Sequence, residues 1–435
     1  MSGRNARALC LVLALCLLFA GVACRAEEAD VVPPLSTAPV GGAADASPGV
    51  GTPSPEPPVL ENDYPFPGKI AIVTSENWTL EEYWSAQYMV EKYGSDKIIH
   101  RTWPNYYWYE ERASQTFLEI AEDPEVRALI LNQAAVGSNA AIDALLEFRD
   151  DIFIVYCNPA ENPVDVTARA NLLIGPNDAL RGEKIVTTAK LMGAEVFAHY
   201  SFPRHLGMST IAARREQMIA ACEREGILFV DLPAPDPTGP DGTAGMWYIR
   251  EDVPRQVAEY GKNIAFFGTN CAMQSHLQWI IIQEGAIYPE PCCPSPYHAF
   301  PVVLEVTEVV YDGSFMGVDA EGNPEVKPRL RYVSEFIGEM RSNVAAIGAT
   351  GRLAVWPVPA SMMLTAVGTE YAIKWINGEV PRERGIIDYA VFEEICEAYI
   401  YETVGEHLGV ELNPFFKSGR AYYNYLLVIP DSFIF

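Results

Sequence analysis

From Lys69 onward, short apolar runs rich in β-formers alternate with longer amphipathic segments. That alternation restricts the chain to parallel sheet covered on both faces by helices. Lys69–Val73 reads as a buried strand and Leu80–Tyr93 as a helix stopped by Gly94. Further strands are expected at Lys97–His100, Ala128–Leu131, Ile152–Cys157 and Leu172–Ile174, with helices at Arg112–Ala121 and Ser138–Phe148. The pattern restarts near Pro176-Asn177-Asp178. Helices at Ala179–Met192, Ile211–Glu225 and Val253–Tyr260 then alternate with strands at Glu195–Tyr200, Leu228–Asp231 and Asn263–Phe267. Two successive α/β units follow, and a length of 435 residues exceeds what one hydrophobic core supports. Tyr311–Arg331 lacks periodicity and reads as an insertion or long loop. Arg352–Trp356 and Ala360–Trp375 supply one more strand and helix, and a last strand is expected within Tyr422–Phe435. The expected fold class is α/β, with two Rossmann-like lobes built on parallel sheets. The expected division is an N-terminal lobe of residues 64–176 plus 351–390, a C-terminal lobe of 177–350 and an extension of 391–435.

The N-terminus carries an address. Arg4 and Arg7 precede an apolar run, Leu9–Ala20, and then Gly21-Val22-Ala23-Cys24. Residues 1–23 read as a bacterial secretory signal whose apolar run is shorter than the ~20 residues needed to span a bilayer. Cys24 at the cleavage point reads as the acylated first residue of a lipoprotein, although Gly21 stands where such signals usually have Leu. Simple cleavage after Ala23 is the alternative. Residues 24–62, dominated by Pro, Ala, Gly, Ser, Thr and Asp, have no face to bury and are expected to be a disordered tether. The expected location is extracytoplasmic, lipid-anchored at the membrane. A formal charge of −26 repels phosphate backbones, which argues against nucleic-acid partners.

In open parallel sheets, ligands bind where loops leave the carboxyl ends of the strands. Those exits carry Ser75, Glu76 and Asn77 after the first strand, Gln133 after the third and Asn158 after the fourth. In the second unit they carry Ser201, Arg204 and His205, then Asn270 and Cys271, and Trp356 ends a late strand. Arg204 suits an anionic or carbonyl group, and Trp356 a ring to be stacked. The loop Trp103–Tyr109 is aromatic enough to stack a ring or dock a transporter. For any one of these residues, turn chemistry and helix capping are the competing explanation.

Cys157, Cys222, Cys271, Cys292, Cys293 and Cys396 remain after the signal and Cys24. The adjacent Cys292-Cys293 invites a metal or redox reading, but no Cys-x-x-Cys or His-rich stretch accompanies it, so packing or a structural disulfide is expected and no metal. No Gly-x-Ser-x-Gly elbow, His-Glu-x-x-His, phosphate-binding loop or dinucleotide turn occurs, so no enzyme and no cofactor are expected. Two catalytic routes leave no signature: a carboxylate set from Asp178, Asp231 and Asp236, and a Cys271–His298 nucleophile pair.

Five runs resemble one family. They are Ala198–His205, Ala234–Gly239, Glu251–Val257, Thr269–Gln274 and Cys292–His298, and they resemble bacterial lipoproteins of domain-of-unknown-function family 3798, across roughly Lys69 to Gly378. The resemblance implies a type I periplasmic-binding-protein fold, two α/β lobes joined by crossover strands. The function expected from it is a solute-binding lipoprotein that captures a small molecule between hinged lobes for an ABC permease. The abundant aromatics favour a nucleoside or flavin-like ligand, with a sugar as another class. A sensor or ligand-presenting protein is the alternative, and a hydrolase a more distant one.

Overall fold

The computed structural model describes residues 66–75, 81–103, 110–132, 134–239, 242–318 and 323–435. The expected signal, the tether and Cys24 lie outside the described residues, as do Glu76, Asn77, Gln133 and most of the aromatic loop after Trp103.

The first unit runs β1 (Lys69–Thr74), α1 (Glu81–Tyr93), β2 (Ile98–Thr102), α2 (Glu110–Glu122), β3 (Val126–Asn132), α3 (Ser138–Phe148), β4 (Phe153–Cys157), α4 (Pro163–Thr167) and β5 (Leu172–Pro176). The second runs α5 (Arg181–Leu191), β6 (Val196–Ser201), α6 (Pro203–Leu206), α7 (Ser209–Glu225), β7 (Leu228–Pro233), α8 (Gly242–Tyr260), β8 (Ile264–Gly268) and α9 (Cys271–Glu284). There follow α10 (Phe300–Val303), β9 (Val309–Val310), β10 (Met316–Val318), β11 (Pro324–Val326), β12 (Arg329–Leu330) and α11 (Val333–Ala346). The remaining elements are β13 (Ala354–Val355), α12 (Ala360–Asn377), α13 (Tyr389–Val404), β14 (Val410–Lys417), β15 (Arg420–Pro430) and β16 (Phe433–Ile434).

Two sheets result. A seven-stranded sheet has the order β14-β15-β5-β4-β3-β1-β2 and is parallel except for the edge strand β14. A three-stranded parallel sheet has the order β7-β6-β8. Single bridges prolong the second sheet from Ala265 to Ile287 and from Tyr288 to Leu353, and β13 then pairs with β16. Strands β1, β3, β4 and β8 are almost wholly buried, which is why they are continuous apolar runs instead of alternating ones. Helix α12 packs on β3, β4 and β5. Gly368 permits the approach, since a Cβ there would lie 3.1 Å from Val155 Cγ1.

The 391–435 segment, read from sequence as an extension, supplies α13 and two strands of the larger sheet, with β15 lying parallel beside β5. The 311–331 insertion is a pair of short hairpin contacts, β10 with β11 and β9 with β12. Aromatic groups here fold over α1: Phe315 in the insertion meets Trp84 edge-on at 5.0 Å, and Tyr332 just after it packs on Tyr88 at 4.9 Å.

Among the described residues the chain passes between the sheets three times, after β5, after β13 and after β15. The first and last of these passages meet around Arg181 at the start of α5, which is fully buried. Its guanidinium pairs with the equally buried Glu290, donates to the carbonyls of Pro291 and Cys292 at 2.7 Å each, and reaches Asp178 at 3.1 Å. Ser432, on the last passage, donates to the other Glu290 oxygen at 3.5 Å.

This packing makes two outcomes testable. Arg181→Met leaves the buried Glu290 without its partner, and urea unfolding should show a loss of about 3–5 kcal/mol. Adding Glu290→Gln should restore part of it; a single variant as stable as wild type would show the pair to be dispensable. The second concerns His100 on β2, bonded to Thr74 Oγ1 at 2.8 Å and Gln87 Nε2 at 2.6 Å, against the Tyr83 ring. Burial, helped by Arg101, lowers its pKa to about 4. A depressed histidine favours folding above its unfolded pKa, and that stability is lost as pH falls from about 6.5 toward 4. His100→Gln should therefore flatten the acid side of a melting-temperature profile in that window; an unchanged slope would contradict the assignment.

Candidate functional site

The carboxyl ends of β6 and β8 bring four polar side chains together. Ser201 Oγ lies 3.0 Å from Thr269 Oγ1, which is 3.1 Å from His205 Nδ1, and Asn270 Nδ2 lies 3.4 Å from His205 Nε2. Local sequence explains the placement. Pro203 opens the short helix α6, whose second and third residues are Arg204 and His205, and the His205 ring stacks on Phe202 at 4.4 Å. Asn270 caps α9, its side chain accepting the Ala272 N–H at 2.9 Å. Burial, and then the nearby Arg204, lower the His205 pKa, so its imidazole is neutral near pH 7.

Arg204 does not join them. Its guanidinium takes Asp236 at 2.7 and 3.1 Å, bonds Thr238 and lies over the Phe202 ring, so it clips the loop after β7 to α6. An exposed arginine bound in this bidentate way acts first on its own lobe.

In the first unit, Ser75 is buried at the end of β1 and its Oγ has no hydrogen-bond partner among the described residues. Trp356, 2% exposed just beyond β13, likewise has an unpartnered Nε1. Orphaned buried polar atoms cost about 1–3 kcal/mol each, so they mark places where a missing partner would be favourable. Asn158 is exposed after β4 in the left-handed region at φ 49°. Asn132, the last residue of β3, belongs to the core, donating to Ser361 O at 2.9 Å and to Thr365 Oγ1 at 2.5 Å.

Sequence reasoning missed Glu81. It accepts from Ser295 Oγ at 2.5 Å and from Ser361 Oγ at 2.6 Å, joining α1 to the segment before α10 and to the start of α12. Burial, then the adjacent Glu82, push its carboxyl up to about 7, against the pull of the two hydroxyls. The Pro294-Ser295-Pro296 stretch was the available signal, because the proline that follows restricts the backbone of the serine.

The carboxylates considered for catalysis do not meet. Asp178 pairs with Arg181, Asp231 with His199 and Arg215, and Asp236 with Arg204. These partners hold Asp231 and Asp236 well below the usual carboxylate range, the opposite of what a general acid requires. Cys271 lies beside Cys292 and Cys293, with Sγ···Sγ distances of 3.3 Å to Cys293 and 3.6 Å to Cys292, and His298 belongs to the same group. None of the six described cysteines forms a disulfide.

Known proteins place this architecture. An uncharacterized protein of Treponema pallidum (strain Nichols) is 32% identical over 143 residues, a third of this chain, and the chain spans 65% of that relative's length. A crystal structure of a provisionally assigned transcriptional regulator from Clostridium difficile 630 superposes with a TM-score of 0.71 at 21% identity, covering 85% of this chain and all of that one. That likeness is one of fold. A sugar ABC transporter protein from Actinomyces odontolyticus ATCC 17982 superposes over 73% of this chain and 86% of its own at 10% identity, with a TM-score of 0.45. The fold shared with that regulator is α/β, two lobes with parallel sheets and three passages between them. The family described as "Protein of unknown function (DUF3798)" matches residues 68–318, more than half of the sequence, and the chain belongs to that family.

Proposed function

We propose that the chain is an extracytoplasmic lipoprotein, anchored through Cys24, that captures a small solute between its lobes and presents it to an ABC-type importer. The observation that carries this reading is the polar group at the carboxyl ends of β6 and β8: Ser201, His205, Thr269 and Asn270. Parallel sheets place ligands at those ends. The orphaned Ser75 Oγ and Trp356 Nε1 add support, since a solute can satisfy both.

The residues suit recognition better than reaction. They offer neutral donors and acceptors, while the nearby carboxylates are neutralised by arginines within their own lobe. Trp356 favours a ring-bearing ligand, a nucleoside, a flavin-like molecule or a sugar. In mechanism, opening must break the Glu81–Ser295 bond and part Trp84 from Phe315 and Tyr88 from Tyr332. Ligand binding would favour the closed form by its differential affinity for it.

Thermal-shift assays against sugars, nucleosides, flavins and amino acids test the reading. One class should raise the melting temperature, because ligand at a hundredfold excess over Kd stabilises by about 2.7 kcal/mol. His205→Ala and Trp356→Phe should lose that shift while melting alone within a few degrees of wild type, a range of about 1 kcal/mol. No response to any class, or variants that respond like wild type, would sink the assignment.

A further inference from the structure

We propose that Cys271, Cys292, Cys293 and His298 form a four-coordinate site for a thiophilic divalent cation, zinc first among them. The sulfurs lie 3.3 Å (Cys271 to Cys293), 3.6 Å (Cys292 to Cys271) and 3.7 Å (Cys292 to Cys293) apart. A tetrahedral zinc with bonds of about 2.3 Å to sulfur holds its thiolates about 3.8 Å from one another. A disulfide would need about 2.05 Å. The ligand atom of His298 completes the group, all four atoms lying within 4.8 Å of one another. Three sulfurs and an imidazole are a donor set that selects zinc over magnesium or calcium.

Each ligand is held through its own main chain. Cys271 is the first residue of α9, fixed by the Asn270 cap. Arg181 grips the carbonyls of Pro291 and Cys292, the Ser295 N–H donates to Cys293 O at 2.9 Å, and the His298 N–H donates to Ser295 O at 3.2 Å. Gln278, buried in α9, donates to His298 O at 3.3 Å. The imidazole of His298 makes no hydrogen bond among the described residues, which leaves a ring nitrogen for a metal.

Three thiolates around a dication leave one net negative charge, and the buried guanidinium groups of Arg181 and Arg214 both couple electrostatically to Cys292. The positive end of the α9 dipole meets Cys271. Cys292 is buried, while Cys271, Cys293 and His298 keep partial exposure, a route by which an ion enters. By contrast, Cys157, Cys222 and Cys396 sit on β4, α7 and α13 as buried core residues.

Four protein ligands close the coordination sphere, which makes the site structural. It fastens the β8–α9 turn to the segment before α10. Through the Ser295–Glu81 bond that segment reaches α1, so the ion stiffens the seam between the sheets.

The test uses the full chain, purified reduced and without chelator. Elemental analysis should find about one zinc per chain. Cobalt(II) in its place should give thiolate-to-cobalt charge transfer and the ligand-field absorption of a tetrahedral site. Cys292→Ser and His298→Ala should each lose the zinc and the cobalt spectrum, while Cys222→Ser keeps both. Should those variants fail to fold, wild type stripped of metal and titrated with zinc against a chromophoric chelator decides, with one-site uptake and a raised melting temperature expected. Three results would each overturn the proposal: reduced wild type that takes up no zinc, ligand variants that bind as wild type does, or a disulfide between Cys271 and Cys292 or Cys293 in freshly extracted, thiol-blocked protein.

Discussion

A guanidinium removed from water cannot stay charged in a protein interior without partners, and that requirement organises the seam of this molecule. Arg181 meets it with the Glu290 carboxylate and two main-chain carbonyls of the segment Glu290–Cys292, and with Asp178 one turn before it. Because Arg181 begins the first passage between the sheets and Ser432 on the last one reaches the same Glu290, the polar centre ties distant parts of the chain together. Apolar packing could bury the same area but would tolerate sliding. A fully enclosed ion pair with further main-chain acceptors specifies one arrangement.

Consequences run outward from that centre. The Glu290–His298 segment is held at its start by Arg181 and, further along, by Glu81 on α1, so it bridges the second sheet and the first helix. The same segment presents Cys292, Cys293 and His298 toward Cys271, at the carboxyl end of β8 next to the polar cluster of Ser201, His205, Thr269 and Asn270. One continuous hydrophobic cluster includes Ile70 and Val155 of the larger sheet and Phe266 of the smaller. Relative motion of the lobes is therefore restrained by buried apolar contact as well as by the aromatic cover of Phe315 and Tyr332.

Local periodicity was enough to read the strand–helix alternation because β1, β3, β4 and β8 are buried on both faces and so stand out as apolar runs. Strand exits were legible for the same reason, and Ser201, His205 and Asn270 do gather, linked through Thr269. Long-range choices were not. Nothing local to Tyr425 states that it will lie beside Leu173 of β5, and the Pro414 inside β14 argues against a strand until its edge position is known. The pairing of Arg204 with Asp236 was hidden in the same way, because the two lie on different loops that only the β6–β7 pairing brings together. The cysteine group stayed hidden since its members are separated by a helix and a turn, with no short motif to announce them. Glu81 looked like an ordinary acidic first turn of a helix, a place where carboxylates are common for electrostatic reasons alone.

The claim that the lobes enclose a small solute is open to one direct measurement: native mass spectrometry of the exported chain, purified without refolding, followed by denaturation and identification of what is released. A chemically intact small molecule in stoichiometric amount, absent after denaturation and restored by adding it back, is the expected result. A chain whose native mass equals that of its polypeptide and lipid, with any metal accounted for, and which takes up nothing from a host-cell extract of small molecules, would contradict it.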